Sequence, residues 1–339
     1  MRSNGTMTGL STRPHGCARR ALAAIACVLA SVLATASSWA QDYPNRPVRI
    51  IVPFPAGGTA DVMPRIVADW LSRKWGQPVI IENKTGAAGN IGAEAAFNAD
   101  PDGYTLLSAP PPPLVINQNL YPKLGFDPAQ FVPVSVMGIV PNALVVNPKK
   151  IAANSVADFV AYAKQNPEKV STATQGNGST SHLTSELFQL MAQVKFLNVP
   201  YRGSAPALQG LLAGDVDVMF DNLGVSLALV KGGQLKLIAV GTAKRMTALP
   251  DVPTIAETLP GFASAAWFAV VAPPKTPAPI VARISADIAE AIRQPDIRKR
   301  FDDLSADPVG GTPAETASFM REEVERWNNV IKAAKVKLE

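Results

Sequence analysis

Three polar, glycine-rich segments hold most of the residues that could meet a ligand: PFPAGGTAD (Pro53 to Asp61), TGAAGNIG (Thr85 to Gly92) and QGNGSTSHL (Gln175 to Leu183). Glycine lets backbone N–H groups turn toward a bound group at no steric cost. A helix that starts at such a turn adds the positive end of its dipole, so each segment is an anion cradle in the making. Taken singly, each is more simply a capped turn between a strand and a helix. Three in one chain favour a site, because open α/β sheets take ligands beyond the carboxyl ends of their strands. None contains Gly-Lys-Ser/Thr or Gly-x-Gly-x-x-Gly, so no nucleotide cofactor is expected.

Side chains for catalysis are scarce. Cys17, Cys27 and His15 all lie in the first forty residues, which leaves His182 as the only histidine beyond them. Thiol chemistry, disulfides and thiolate metal sites are thereby excluded from the remainder, and no metal is expected. A hydrolase or lyase using His182 with Ser181 or Asp221 would lack a second base. His182 can instead hydrogen-bond a ligand or sit satisfied in a helix's first turn. Asp61 either caps the helix that contains Pro64 or accepts from a ligand amine or hydroxyl. Arg202 is a bidentate carboxylate partner or a solvated rim residue, while Tyr121 and Trp267 read as core or hinge packing.

The first forty residues carry Arg2, Arg13, Arg19 and Arg20, no acid, an apolar run from Ala21 to Ala36, and small residues at Ser38 and Ala40. This is the pattern of a secretory signal peptide cleaved after Ala40, with periplasmic export as its consequence. Setting that segment aside takes Lys+Arg from 32 to 28 against an unchanged Asp+Glu of 27. The basic pI therefore belongs largely to the leader and gives no argument for nucleic acid.

The elements that must position the three segments alternate between β-branched runs and helical stripes, an α/β pattern with largely parallel strands. Strands are expected at Val48 to Val52, Val79 to Ile81, Thr105 to Leu107, Leu144 to Val146, Ser171 to Thr174, Val216 to Phe220, Leu237 to Val240 and Trp267 to Val271. Val62, Ile66, Val67, Trp70 and Leu71 form one helical stripe, and Met320, Val324, Trp327 and Ile331 another. Ser155 and Asp158 resemble a capping box.

In this order the chain reads YPNRPVRIIVPFPAGGTAD, GQPVIIENKTGAAGNIGAEAA, DPDGYTLL, GNGSTSHL, VPYRGSAPAL, GDVDVMFDNL and ALPDVPTIAETLPGF. The series resembles the Bug (TctC-type) extracytoplasmic solute receptors of tripartite tricarboxylate transporters, from about Tyr43 to the last helix. The resemblance implies an α/β, two-lobed periplasmic-binding-protein type II fold with hinge crossover strands near Asn142 to Val146 and Ala265 to Val270, and a ligand cleft between lobes. It places lobe 1 at 41–143 and 266–339 and lobe 2 at 144–265.

The resemblance further implies a monomeric, non-enzymatic receptor without cofactor that holds a small carboxylate by backbone donors. Its partner is the membrane permease of such a transporter or, alternatively, a signalling protein. The family's ligand positions fall on Phe54, Ala56, Gly57, Gly58, Thr59 and Asp61, on Ala87, Ala88, Gly89 and Asn90, and on Ala109 and Pro110. In the far lobe they fall on Asn177, Ser179, Ser181, His182, Tyr201, Asp221 and Asn222. The chain departs from the family at Pro110 to Pro113, where small, glycine-containing sequences are common. Four prolines give carbonyl acceptors but no N–H donors, and a stiff wall of this kind suits a ligand with one carboxylate and a less polar remainder. Alternatively, the prolines stiffen a loop outside the cleft.

Overall fold

The computed structural model describes residues 43–246 and 249–337. The signal-peptide segment lies outside the described residues. The described residues form ten strands, β1 (Val48–Val52), β2 (Val79–Asn83), β3 (Thr105–Ala109), β4 (Val132–Val146), β5 (Ser171–Thr174), β6 (Leu197–Pro200), β7 (Val218–Asn222), β8 (Lys236–Val240), β9 (Ala265–Ala272) and β10 (Asp307–Pro308). Nine α-helices of the described residues pack on them. They are α1 (Thr59–Trp75), α2 (Asn90–Phe97), α3 (Val156–Gln165), α4 (Thr180–Ala192), α5 (Ser204–Ala213), α6 (Leu223–Lys231), α7 (Ala278–Arg293), α8 (Pro295–Asp303) and α9 (Pro313–Ala334).

The strands run in the order β2-β1-β3-β9-β4-β7-β5-β6, with β8 and β10 also paired to β4. β1 pairs in parallel with β2 and β3, and β5 in parallel with β6 and β7. The antiparallel seam between these two parallel groups is made by β9 and β4. β4 changes partners along its length: Val132 to Pro141 lie against β9, and Asn142 to Val146 against β7 and β8. Near that change the chain also returns, as Gly241 N–H donates to the Asn142 carbonyl (2.6 Å), Ser264 N–H to that of Gly241 (2.7 Å), and Asn142 N–H to that of Ser264 (3.3 Å).

The strand expected at Leu144 to Val146 is thus only the tail of a 15-residue strand. Pro133, Gly138 and Pro141 hid the rest, since proline cannot donate to a ladder. In the structure Pro133 and Gly138 sit where the β4–β9 register slips, and Pro141 ends the pairing with β9. β7 starts two residues later than expected and runs on to Asn222, so Asp221 belongs to the strand itself.

Alternation of side chains across the second group of strands feeds two cores. Leu144, Val146, Val218 and Phe220 meet Phe159 of α3 and Phe188 of α4 on one face. Ala143, Val145 and Met219 meet Leu208 and Leu211 of α5 and Leu223 of α6 on the other. In the first group, Ile51, Leu107, Ala269 and Val271 pack with Trp327 and Ile331 of α9. Both helical stripes read from sequence supply core residues, with Val62, Trp70 and Val324 at their half-buried margins. Helix α9 opens with a capping box in which Thr312 Oγ1 accepts from Glu315 N–H and Glu315 accepts from Thr312 N–H (2.8 Å). Thr312→Ala is expected to cost about 1 kcal/mol, read from denaturant unfolding at unchanged slope.

Candidate functional site

Four strand-to-helix turns end on one cavity. Gly58 precedes α1, Ser179 precedes α4, Gly203 precedes α5 and Asn222 precedes α6. These caps, with the first-turn residues Thr59, Ala60, Thr180 and Ser204, line about 430 Å³ of atom-free space, mouth included. Phe54, Pro55, Pro110, Pro112, Gln175 and Phe268 complete the wall, which contains no ionisable side chain. The first N–H groups of a helix have no intrahelical acceptor. Those of Thr59, Ala60, Thr180 and Ser204 find no backbone acceptor among the described residues. The starts of α1, α4 and α5 therefore turn unmatched N–H donors toward one space, and α6 adds a fourth positive dipole end, the arrangement that binds an anion.

The two groups of strands meet across this space. A methyl carbon placed on Gly58 would lie 3.7 Å from Ser204 Cβ, and one on Gly203 3.3 Å from Pro55 Cδ. Gly203 has φ +105°, which admits no ordinary side chain, so the loop can lie this close to Pro55 only as glycine.

Behind the wall, Asp221 is fully buried and accepts from Ser204 Oγ (2.8 Å) and Gln175 Nε2 (2.9 Å). Burial pushes its carboxyl up to about 6, and the hydrogen bonds from Ser204 and Gln175 pull the other way without offsetting it. A second network starts at Asn222, whose Nδ2 donates to Asn142 Oδ1 (2.7 Å). Asn142 Nδ2 donates in turn to Thr184 Oγ1 (2.9 Å) and Ser264 Oγ (2.8 Å). The cavity wall is thus joined by side chains to both points where the chain crosses between the strand groups.

The expected site residues divide. Phe54, Gly58, Thr59, Pro110, Ser179 and Asn222 line the cavity. Ala56 and Gly57 in the first loop and Asn177 in the third are exposed and do not line the cavity, and Ala109 is buried in β3. Asp61 lies beneath the first loop, accepting from Gly57 N–H (3.1 Å), Arg65 Nε (2.9 Å) and Asn83 Nδ2 (2.8 Å). Burial raises its carboxyl, but these partners outweigh it and hold the group below the usual carboxylate range. It reaches back from the third helical position rather than capping from the front, and its oxygens are committed to protein donors.

Ser179 Oγ accepts from His182 N–H (3.2 Å) and so caps α4. His182 Nδ1 accepts from Gly178 N–H (3.1 Å), and its Nε2 lies 3.6 Å from Glu186. Both ring nitrogens therefore work at the helix start, and the residue does not line the cavity. Ser181 is buried with its hydroxyl unmatched, also off the wall. Tyr201 packs its ring over Gly210 of α5, and Arg202 is exposed. Trp267 is core, its indole donating to Glu323 (2.7 Å).

The second loop sits behind the first. Gly86, Ala87, Ala88 and Gly89 all have positive φ, at 133°, 47°, 51° and 93°. Two consecutive left-handed alanines are strained backbone. Asn117 holds them by donating to the Ala88 carbonyl (3.1 Å) and to Asn90 Oδ1 (2.6 Å). A methyl carbon on Gly89 would lie 3.2 Å from both Phe54 and Pro113, so Ala87 to Asn90 support the Phe54 and proline wall rather than line the cavity. The prolines do not form an extended segment: Pro111 has φ −48° and ψ −38°, and a helical turn follows over Pro112–Ile116. Proline suits a helical first turn, where its missing N–H has no partner to lose. Sequence reasoning did not single out Ser204, Ala60 or Phe268 as wall residues.

With this geometry in hand, the chain matches the sequence profile of the Tripartite tricarboxylate transporter family receptor (TctC) over residues 63–336. It belongs to the TctC family. Protein BugT of Bordetella pertussis is 38% identical over 322 residues, 94% of this chain and 98% of that protein. A Rhodopseudomonas palustris protein, Rpa4515 with adipate, superposes with a TM-score of 0.85 at 39% identity, covering 87% of this chain and 99% of the other. MatC of the same species, with bound malate, gives 0.80 at 33% identity, covering 85% and 100%. The periplasmic binding protein BugD superposes at 0.82 with 32% identity, covering 88% of this chain and 100% of that one. The fold is accordingly the two-lobed type II fold of periplasmic solute-binding proteins in the TctC family.

Proposed function

We propose that this TctC-family protein captures a small carboxylate between its lobes and delivers it to the membrane permease of a tripartite tricarboxylate-type transporter. The observation that carries this reading is the convergence of four helix starts on a cavity lined by no cation. Backbone donors of this kind contribute about 1.5–3 kcal/mol each toward a charged group. Four or five leave roughly the 8 kcal/mol of a micromolar complex after association costs. That the relatives from Rhodopseudomonas palustris are described with adipate and malate supports a carboxylate. The apolar stretch of wall from Phe54, Pro110, Pro112 and Phe268 suits the ligand's carbon body.

The lobes are drawn at 41–143 with 266–339, and 144–265. The partner change of β4 at Asn142 and the return at Ser264 support those limits. Binding proceeds without turnover, as His182 is committed at both ring nitrogens. The export signal and cleavage after Ala40 belong to the same reading.

A thermal-shift screen of mono-, di- and tricarboxylates tests it, because a tight ligand raises the melting temperature by mass action. At least one acid is expected to stabilise the protein and to be recovered unchanged; conversion to a product would overturn the receptor reading. For the acid so found, Arg202→Ala is expected to change affinity by less than about threefold, as an exposed charge contributes little. A loss well beyond that, measured by calorimetry, would place the carboxylate in a side-chain clamp.

A further inference from the structure

Besides the hydroxyls of Ser179 and Thr180, the cavity's second-lobe wall takes its polar side chains from Gln175, Ser204 and Asn222, and each of these three has its donor turned away from the cavity. Gln175 Nε2 and Ser204 Oγ both reach Asp221 Oδ1 (2.9 and 2.8 Å). An ionised carboxylate only accepts, so both contacts are donors and the Gln175 amide is held with its nitrogen inward. The same logic holds Asn222. Asn142 gives both its amide hydrogens to Thr184 and Ser264, which leaves only its Oδ1 to receive Asn222 Nδ2.

The atoms these three leave for the cavity are Gln175 Oε1, Asn222 Oδ1 and the Ser204 lone pairs. All are acceptors. Asn222 is 6% exposed, and its Oδ1 has no hydrogen-bond partner among the described residues. A ligand of carboxylate oxygens alone would meet the helix N–H and hydroxyl donors and leave the two amide oxygens unmatched, which is unfavourable in a closed site.

Resting on the carboxylate-receptor reading, we infer that the ligand carries, besides its carboxylate, a hydrogen-bond donor such as a hydroxyl or amino group that meets Gln175 Oε1 and Asn222 Oδ1. Asp221 is the positioning residue that sets this preference through Gln175 and Ser204.

Matched acids test the inference by calorimetry at mildly alkaline pH: malate against succinate, 3-hydroxybutyrate against butyrate, and 4-hydroxybenzoate against benzoate. In at least one pair the hydroxy acid is expected to bind about tenfold tighter or more, one further hydrogen bond with its acceptor otherwise unmet. Asp221→Asn frees the Gln175 amide to turn, and Gln175→Met removes it. Either is expected to bring the ratio of the two dissociation constants toward one, whereas a merely structural defect would weaken both acids and keep the ratio. Should Asp221→Asn fail to fold, Gln175→Met on the wall carries the comparison alone.

If the unsubstituted acid binds as well in every pair that binds, the inference is wrong while the carboxylate reading stands. A ratio that survives the substitutions overturns the role given to Asp221 and Gln175. If no acid of any pair binds, both fall together.

Discussion

Replacing Gly224 with alanine is expected to weaken ligand binding by about 10- to 100-fold while leaving the ligand-free protein as stable or slightly more so. Gly224 lies in the first turn of α6 in the second lobe. A methyl carbon there would stand 2.6 Å from the Leu304 carbonyl oxygen and 3.2 Å from Thr59 Oγ1, both in the first lobe. Backbone cannot yield to that contact as a side-chain tip would, and overpacking of this kind costs about 1–3 kcal/mol. On the receptor reading proposed above the lobes part when empty, so the cost falls on the closed form. With the lobes apart, alanine improves a helix by up to about 1 kcal/mol over glycine. Calorimetry and small-angle scattering check the result together: affinity falls, and the radius of gyration at high ligand stays larger than for the native protein. Native affinity in the variant would show that closure does not bring α6 against Thr59.

The second large effect is a pH dependence of stability from Asp221. Its surroundings are neutral: Ser204 on α5, Ser226 on α6, Gln175 ahead of α4 and Ala143 opposite on β4. The ionisable pair on α4, His182 with Glu186, is engaged with itself. Below the ordinary value of 3.8 the carboxyl is protonated in folded and unfolded chains alike. Between there and about 6 only the folded chain holds the proton, so stability falls as pH rises through that window. Above it the full difference, about 3 kcal/mol for a shift of that size, has been lost.

Asp61 and Glu186 act oppositely, since both are held below their ordinary values and lose stability as pH falls. Comparing the native protein with Asp221→Asn isolates the buried group. Between about pH 5 and pH 8, where roughly half of that difference is lost, the native melting temperature is expected to drop relative to the variant by about 3 °C. Parallel profiles would mean that Asp221 ionises in the folded protein as easily as in the unfolded one.

Much of this was legible from residue types. Glycines and hydroxyls placed between a β-branched run and a helical stripe point to N-caps, and the first and third loops do end on the cavity. The second loop was legible as a turn but not as a buttress. Its position behind Phe54 depends on Asn117 and Pro113, which are near it only in space. Phe268 gave no signal, because a strand covered on both faces reads as an unbroken apolar run whichever residue meets the ligand. Ser204 gave no signal either, since its role appears only with Asp221 beneath it. For Asp221 the sequence left two readings open, ordering the cleft edge through hydrogen bonds or touching the ligand, since period-two alternation separates the two faces of a strand but does not say which face carries the site.

The threading of β4 and β9 has a consequence for how the chain matures. β3 pairs with β9, joining Leu107 to Val271, and the first part of β4 pairs with the same strand. A nascent chain that has not yet reached Ala265 therefore presents β3 and β4 as open edges. Contacts this distant along the chain slow folding, and open edges invite pairing with other chains. The second group of strands, all drawn from the chain between Asn142 and Val240, can form earlier. The first must wait until nearly the whole polypeptide has been made.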